Sequence, residues 1–254
     1  MIQATIAGQY WMISSSMVKV NINMESPHYI VAGVPSEELR AKLVRTSQLV
    51  AAADLAARGM AAVSFTLGMT AQGPHPHFSM MHISAEAGQL LEFCQRLGEV
   101  VGSHGGPIPV EAVRPGGRGA FANVLYNDAN PRLRALRSDV HALATELGIG
   151  LAPEQADLLA ELREQQQRGQ LSHAAKKELS SLQQLGYKDW HATVTNVGTR
   201  LSPRQREVIN RIMVPSGASV ADFNGQVEAV AVYRLGECGT ALGVPHTKVI
   251  LSGS

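Results

Sequence analysis

The sequence predicts an α+β protein in which antiparallel strands alternate with outer helices. Three observations carry that expectation. The order strand, helix, strand, strand occurs once on each side of the middle of the chain. Short apolar runs with period-two alternation are bounded by Gly, Pro and Asn, as strands are. The segment Leu151 to Asp189 is rich in Glu, Gln, Leu and Ala, a helical and polar composition unlike its flanks.

Taken in order, "MVKVNINM" (17–24) reads as a strand and "HYIVAGV" as a more deeply buried one. In "PSEELRAKLVRTSQLVAAADLAARG", Pro35 and Ser36 start a helix, Leu39, Leu43, Leu49 and Leu55 form its apolar stripe, and Gly59 stops it. "MAAVSFTLGM" (60–69) and "PHFSMMHIS" (76–84) follow as strands joined by a Gly/Pro loop. A second helix in "AEAGQLLEFCQRLGEVVGSHGG" buries Leu90, Leu91, Cys94, Leu97 and Val101. "PIPVEAVRP" and "AFANVLYND" are strands about the turn "GGRG", ahead of the helix "PRLRALRSDVHALATELG". Residues 151–189 read as two helices broken near Gly169, an insertion or lid within a single domain spanning 1–254. The strand "WHATVTNV", the helix "SPRQREVINRIMV" and strands in "VEAVAVYRL" and "TKVILSG" complete the chain.

Composition narrows the function classes. A chain of 254 residues with 45% hydrophobic side chains can bury a sizeable core. Twenty-two Lys and Arg against twenty-one Asp and Glu leave a formal charge of +1, so no global field favours duplex DNA or an anionic membrane, and a phosphate ligand has to be gripped locally. Cys94 and Cys238 show neither CxxC nor Cys/His spacing, so neither a disulfide framework nor a zinc site is implied, and separately no carboxylate cluster accompanies the histidines and no resident cofactor is expected. No apolar run approaches the roughly twenty residues of a membrane helix. The N-terminal stretch lacks the basic residues and apolar core of a secretory signal, and a cytoplasmic location is expected.

The chemistry-bearing residues are histidines followed two positions later by a hydroxyl. His191 precedes Thr193 in "DWHATVT", His77 precedes Ser79 in "PHFSM", and His82 precedes Ser84 in "MHISA". Period-two geometry puts imidazole and hydroxyl on one face of a strand. The first half of the duplicated pattern holds two such elements and the second half holds one. Here the chain resembles the two-histidine (2H) phosphoesterase superfamily, marked by a pair of His-x-Ser/Thr elements on two pseudo-symmetric lobes. The resemblance runs from about His28 onward, with "HYIVAGVPSEELRAKL" as opening strand and helix and "VEAVAVYRL" near the end. It implies a bilobal fold, two antiparallel sheets flanking a central groove with outer helices, and the 151–189 insertion as its main departure.

The pleat places His77, Ser79, Met81 and Ile83 on one face and Phe78, Met80, His82 and Ser84 on the other. Strands of the family continue for several residues past the Ser/Thr, which favours His77 and Ser79 and leaves His82 on the back of the strand; the alternative pair is His82 with His191. The resemblance implies a metal-independent phosphodiesterase acting on a nucleotide or oligonucleotide: a 2′,3′-cyclic phosphate, a 2′-5′ linkage or a cyclic nucleotide. Two imidazoles near neutral pH can divide the base and acid roles, and Ser79 and Thr193 can hold nonbridging oxygens. Two alternatives stand beside it. One is a phage-type anti-defence enzyme degrading cyclic oligonucleotide signals, to whose motif "HFSMM" is similar; the other is a noncatalytic RNA or nucleotide binder on the same fold. Tyr29, Trp190 and Tyr126 are candidates to stack on a base, and Arg114, Arg118 and Arg200 to contact phosphate.

Overall fold

A computed structural model describes residues 10–13, 16–19, 28–53, 55, 59, 63, 65–117, 119–183 and 190–252. Strands β1 (Tyr10–Ile13) and β2 (Ser16–Lys19) form an antiparallel pair of their own. The chain then runs through β3 (His28–Pro35), α1 (Glu37–Ala52), β4 (Phe78–Ser84), α2 (Ala87–Gly102), β5 (Ile108–Val110), β6 (Ala112–Gly116), β7 (Phe121–Tyr126) and α3 (Pro131–Glu146). It continues with β8 (Gly150–Leu151), α4 (Pro153–Gln167), α5 (His173–Gln183), β9 (His191–Asn196), α6 (Pro203–Met213), β10 (Gly225–Leu235) and β11 (Ala241–Ile250). No helix among the described residues is long and apolar enough to cross a membrane.

The architecture is α+β with one large antiparallel sheet, which corrects the expectation of two sheets. Nine strands join in the order β11-β10-β3-β4-β9-β7-β6, with β5 beside β10 and β8 beside β4. The two halves meet at the single register pair Phe78 with Ala192. Helix ends obey local chemistry: Asn130 accepts from the N–H groups of Arg132 and Leu133 ahead of Pro131, and Ser202 with Gln205 forms a capping box at α6.

One face of the sheet is buried under the helices. Phe78, Met80, Met81, Ile83, Val124, Ala192 and Val194 point there, joined by Leu39 and Leu43 of α1, Phe93 and Leu97 of α2 and Leu136 of α3. Phe78 sits at the middle, edge-on to Tyr126 at 4.9 Å and to Trp190 at 6.0 Å. Burying a phenyl side chain of this kind contributes about 1.5–3 kcal/mol of transfer free energy. Helices α4 and α5 flank Gly169 and enclose a small cluster of their own, Leu162, Leu179 and Leu182.

Two strand expectations change. The apolar stretch around residues 65–70 is irregular, because side chains take its backbone groups: the Leu67 N–H donates to Ser47 Oγ at 2.9 Å, and Thr195 Oγ1 donates to the Phe65 carbonyl at 2.8 Å. "PIPVEAVRP" divides at Glu111, its first part pairing with β10 and its second with β7. Of the strand expected at 17–24, residues 17–19 belong to β2 and the rest lies outside the described residues.

Candidate active site

The seam between the halves is where the two motifs meet. In an antiparallel pair centred on Phe78 and Ala192, His77 stands opposite Thr193 and Ser79 opposite His191, all four on the face away from the helices. His77 and His191 are then diagonal neighbours, their backbone positions about 7–8 Å apart in an ideal ladder, a spacing across which two long side chains can reach one another.

Each motif strand carries a β-bulge immediately after its hydroxyl residue. On β4, Ser79 pairs with Ala32 and Met81 with Val31, so Met80 is the extra residue. On β9, Thr193 pairs with Asn123 and Thr195 with Ala122, so Val194 is the extra residue. The bulges are related by the same dyad as the motifs. Their effect on side-chain direction is decisive, because an inserted residue restores the strand to the opposite phase. His82 therefore pairs with Ile30 and Ser84 with His28 on the same face as Ser79. The expectation that His82 lies on the back of the strand fails for this reason: three histidines, His77, His82 and His191, converge on one face.

The turn Glu237–Gly239 covers two of them. Gly239, at φ +71, lies so close that a Cβ there would sit 3.0 Å from His82 Cε1, and its backbone hydrogen-bonds to the His77 ring. Cys238 beside it holds the left-handed conformation at φ 57. His77 and His82 are consequently only 6% and 7% exposed, whereas Ser79, His191 and Thr193 are half-buried. Burial pushes the His77 pKa down to about 4, and the neighbouring His191 adds to this, while hydrogen bonds to the backbone of His75 and Gly239 oppose it. His77 Nδ1–H donates to the His75 carbonyl at 2.7 Å. Burial, followed by the charges of His77 and His191, lowers His82 to about 3. Both rings are neutral at pH 7.

The other candidates divide. Tyr29 and Trp190 are buried in the helix-side core, 3% and 1% exposed, so neither offers a face for stacking beside the histidines. Trp190 instead packs on Phe78 and lies 5.8 Å under the Arg137 guanidinium. Tyr126 is also core, its hydroxyl donating to the Phe223 carbonyl. Arg114 is exposed and belongs to the motif face, since Arg114 pairs with Leu125 and Leu125 with His191. Arg118 lies outside the described residues. Arg200 lines a cavity of about 720 Å³ between the glycine turn at 117–119 and the start of α6. A second cavity, of about 330 Å³, adjoins His75, and neither cavity is lined by His77 or His191.

Sequence reasoning missed Asn123. It pairs with Thr193 on the motif face, is 7% exposed, and its Oδ1 is buried without a hydrogen-bond partner among the described residues. Its signal was available: a polar residue inside the apolar run "AFANVLY". Among the described residues no group of three or more His, Cys, Asp or Glu is arranged to hold a metal ion. No known family's sequence model matches the chain, and no curated protein matches it in sequence.

Proposed function

We propose that the protein is a metal-independent phosphodiesterase of the 2H type, cleaving a nucleotide or oligonucleotide phosphodiester by paired-histidine catalysis. The observation that supports this is the dyad at the seam, which presents two imidazoles and two hydroxyls on one face of adjacent strands. His77, kept neutral by burial, takes the proton from the attacking water or ribose hydroxyl. The new O–P bond forms as the P–O bond to the leaving oxygen breaks, and His191, the more open of the pair, gives that oxygen its proton. Ser79 and Thr193 donate hydrogen bonds to the nonbridging oxygens, where negative charge is held. The Glu237–Gly239 turn lies over His77, so the substrate approaches from the His191 side.

The test is turnover of 2′,3′-cyclic, 2′-5′-linked and cyclic di- and trinucleotide substrates by wild type, His77→Ala and His191→Ala. Each variant is expected to lose about two orders of magnitude or more in kcat while remaining folded. Near-wild-type rates in either folded variant would falsify the assignment. The burial of His77 and His82 beneath the turn also favours a second reading, a nucleotide binder whose histidines only hydrogen-bond. Tight binding without turnover in wild type would select it.

A further inference from the structure

The cavity of about 330 Å³ opens on the same face of the sheet as the histidines. Its floor includes Val34 and Tyr233, both of the small apolar cluster on that face. Lys248 enters it from β11, in a transverse row that runs Lys248, Ala231, Ala32, Ser79 through successive register pairs. Its wall is formed by His75 and Pro76, the two residues before His77, and the His75 carbonyl is the acceptor that fixes the His77 ring. The cavity and the catalytic pair therefore share one strand of backbone.

Its chemistry points to an anion. Arg40 and Lys248 line it, no carboxylate does, and neither cation forms an ion pair among the described residues. Arg40 lies against Tyr233, where its charge opposes the effect of burial on the phenol, and Tyr233 in turn packs on the His75 ring with centroids 5.1 Å apart. The rim is apolar: Met69 and Val244 leave 46% and 59% of their surface exposed beside these cations. Two cations beside an aromatic and aliphatic wall suit a phosphoryl group, with the apolar rim left for a sugar or base attached to it.

We propose that this cavity binds a second phosphate of the substrate, so that the preferred substrates carry at least one phosphate besides the scissile one. The inference rests on the phosphodiesterase reading and deepens it from nucleotides in general to oligonucleotides and polyphosphorylated nucleotides. A mononucleoside cyclic phosphate fills only the seam.

Two measurements on the full chain separate this claim from the reading it rests on. Calorimetry with inorganic pyrophosphate as probe is expected to show binding to wild type and to His191→Ala, and binding weakened about ten-fold or more in the Arg40→Gln/Lys248→Gln double variant. Arg40→Lys/Lys248→Arg, which keeps both charges, should retain it. Equal binding by the Gln double variant, or no binding by wild type, overturns the proposal. In turnover, kcat/KM of the Gln double variant should fall at least ten times further for a 5′-phosphorylated dinucleotide than for a nucleoside 2′,3′-cyclic phosphate. An equal fall on both overturns it. Should wild type turn over neither substrate, the phosphodiesterase reading fails, and the pyrophosphate result still decides the cavity.

Discussion

Replacing His82 with glutamine should flatten the dependence of folding stability on pH. His82 titrates near 3 in the folded protein, chiefly because it is buried and secondarily because His77 and His191 are near, against an ordinary value of 6.5 once unfolded. Between those limits the unfolded chain holds a proton that the folded chain refuses, so stability is complete above pH 6.5 and drains away as pH falls toward 3. The gradient is about 1.4 kcal/mol per pH unit for one proton, or on the order of 2 kcal/mol between pH 6.5 and pH 5. Glutamine keeps hydrogen-bonding capacity but takes up no proton in either state. Urea unfolding at pH 7, 6 and 5, followed by the fluorescence of buried Trp190, gives the two slopes. The variant is expected to lose about one proton's worth of slope, whatever its stability at pH 7. Parallel stability curves would show that His82 gains its proton in the folded chain as readily as in water, and would refute its placement beneath the Glu237–Gly239 turn.

Gly239→Ala should cost about 1–2 kcal/mol from the left-handed backbone alone, and its Cβ would press on the His82 ring, so the melting temperature should fall and turnover with it. Unchanged melting would mean that the turn does not rest on the histidine. Excising residues 153–183 behind a short Gly/Ser linker should leave a cooperatively folding protein, because Leu162, Leu179 and Leu182 pack on one another apart from the main core. A chain that no longer melts cooperatively would make α4 and α5 part of the fold's foundation. Activity should persist in excess EDTA, since on the proposed route imidazoles alone supply the proton transfers. Inactivation reversed by Mg²⁺ or Mn²⁺ would count against the paired-histidine route.

Much of this was legible in the sequence wherever one residue decides one local event. Asn130-Pro131 and Ser202-Pro203 announce α3 and α6 because capping chemistry is local, and the left-handed Gly169 lies between α4 and α5 because few other residues tolerate that conformation. The two His-x-Ser/Thr pairs could be placed on strands from their apolar context, and they do share a face. The phase of the strand beyond Ser79 could not be read. Met80 carries no Gly or Pro to mark a bulge; it is extra only because of how β4 meets β3, a tertiary relation invisible in "HFSMMHIS". Tyr29 and Trp190 misled for a related reason. Each neighbours a polar strand residue, but alternation sends each to the helix side, where large rings serve the core. The stretch 60–69 had the composition of a strand, and its backbone found hydroxyl partners on Ser47 and Thr195 instead.

The order of the strands also sets a timetable for synthesis. β3 is buried on both faces and is flanked by β4, soon after it in the chain, and by β10, which pairs Ala32 with Ala231 near the far end. While a ribosome is still making the middle of the chain, β3 stands as an open edge of bare, apolar backbone with no neighbour to close it. The half that holds His77 is thus sealed only when β10 arrives, although β3 and β4 precede β10 in the chain. Long-range closure of this kind is slow, and throughout the interval that edge is open to pairing with another chain.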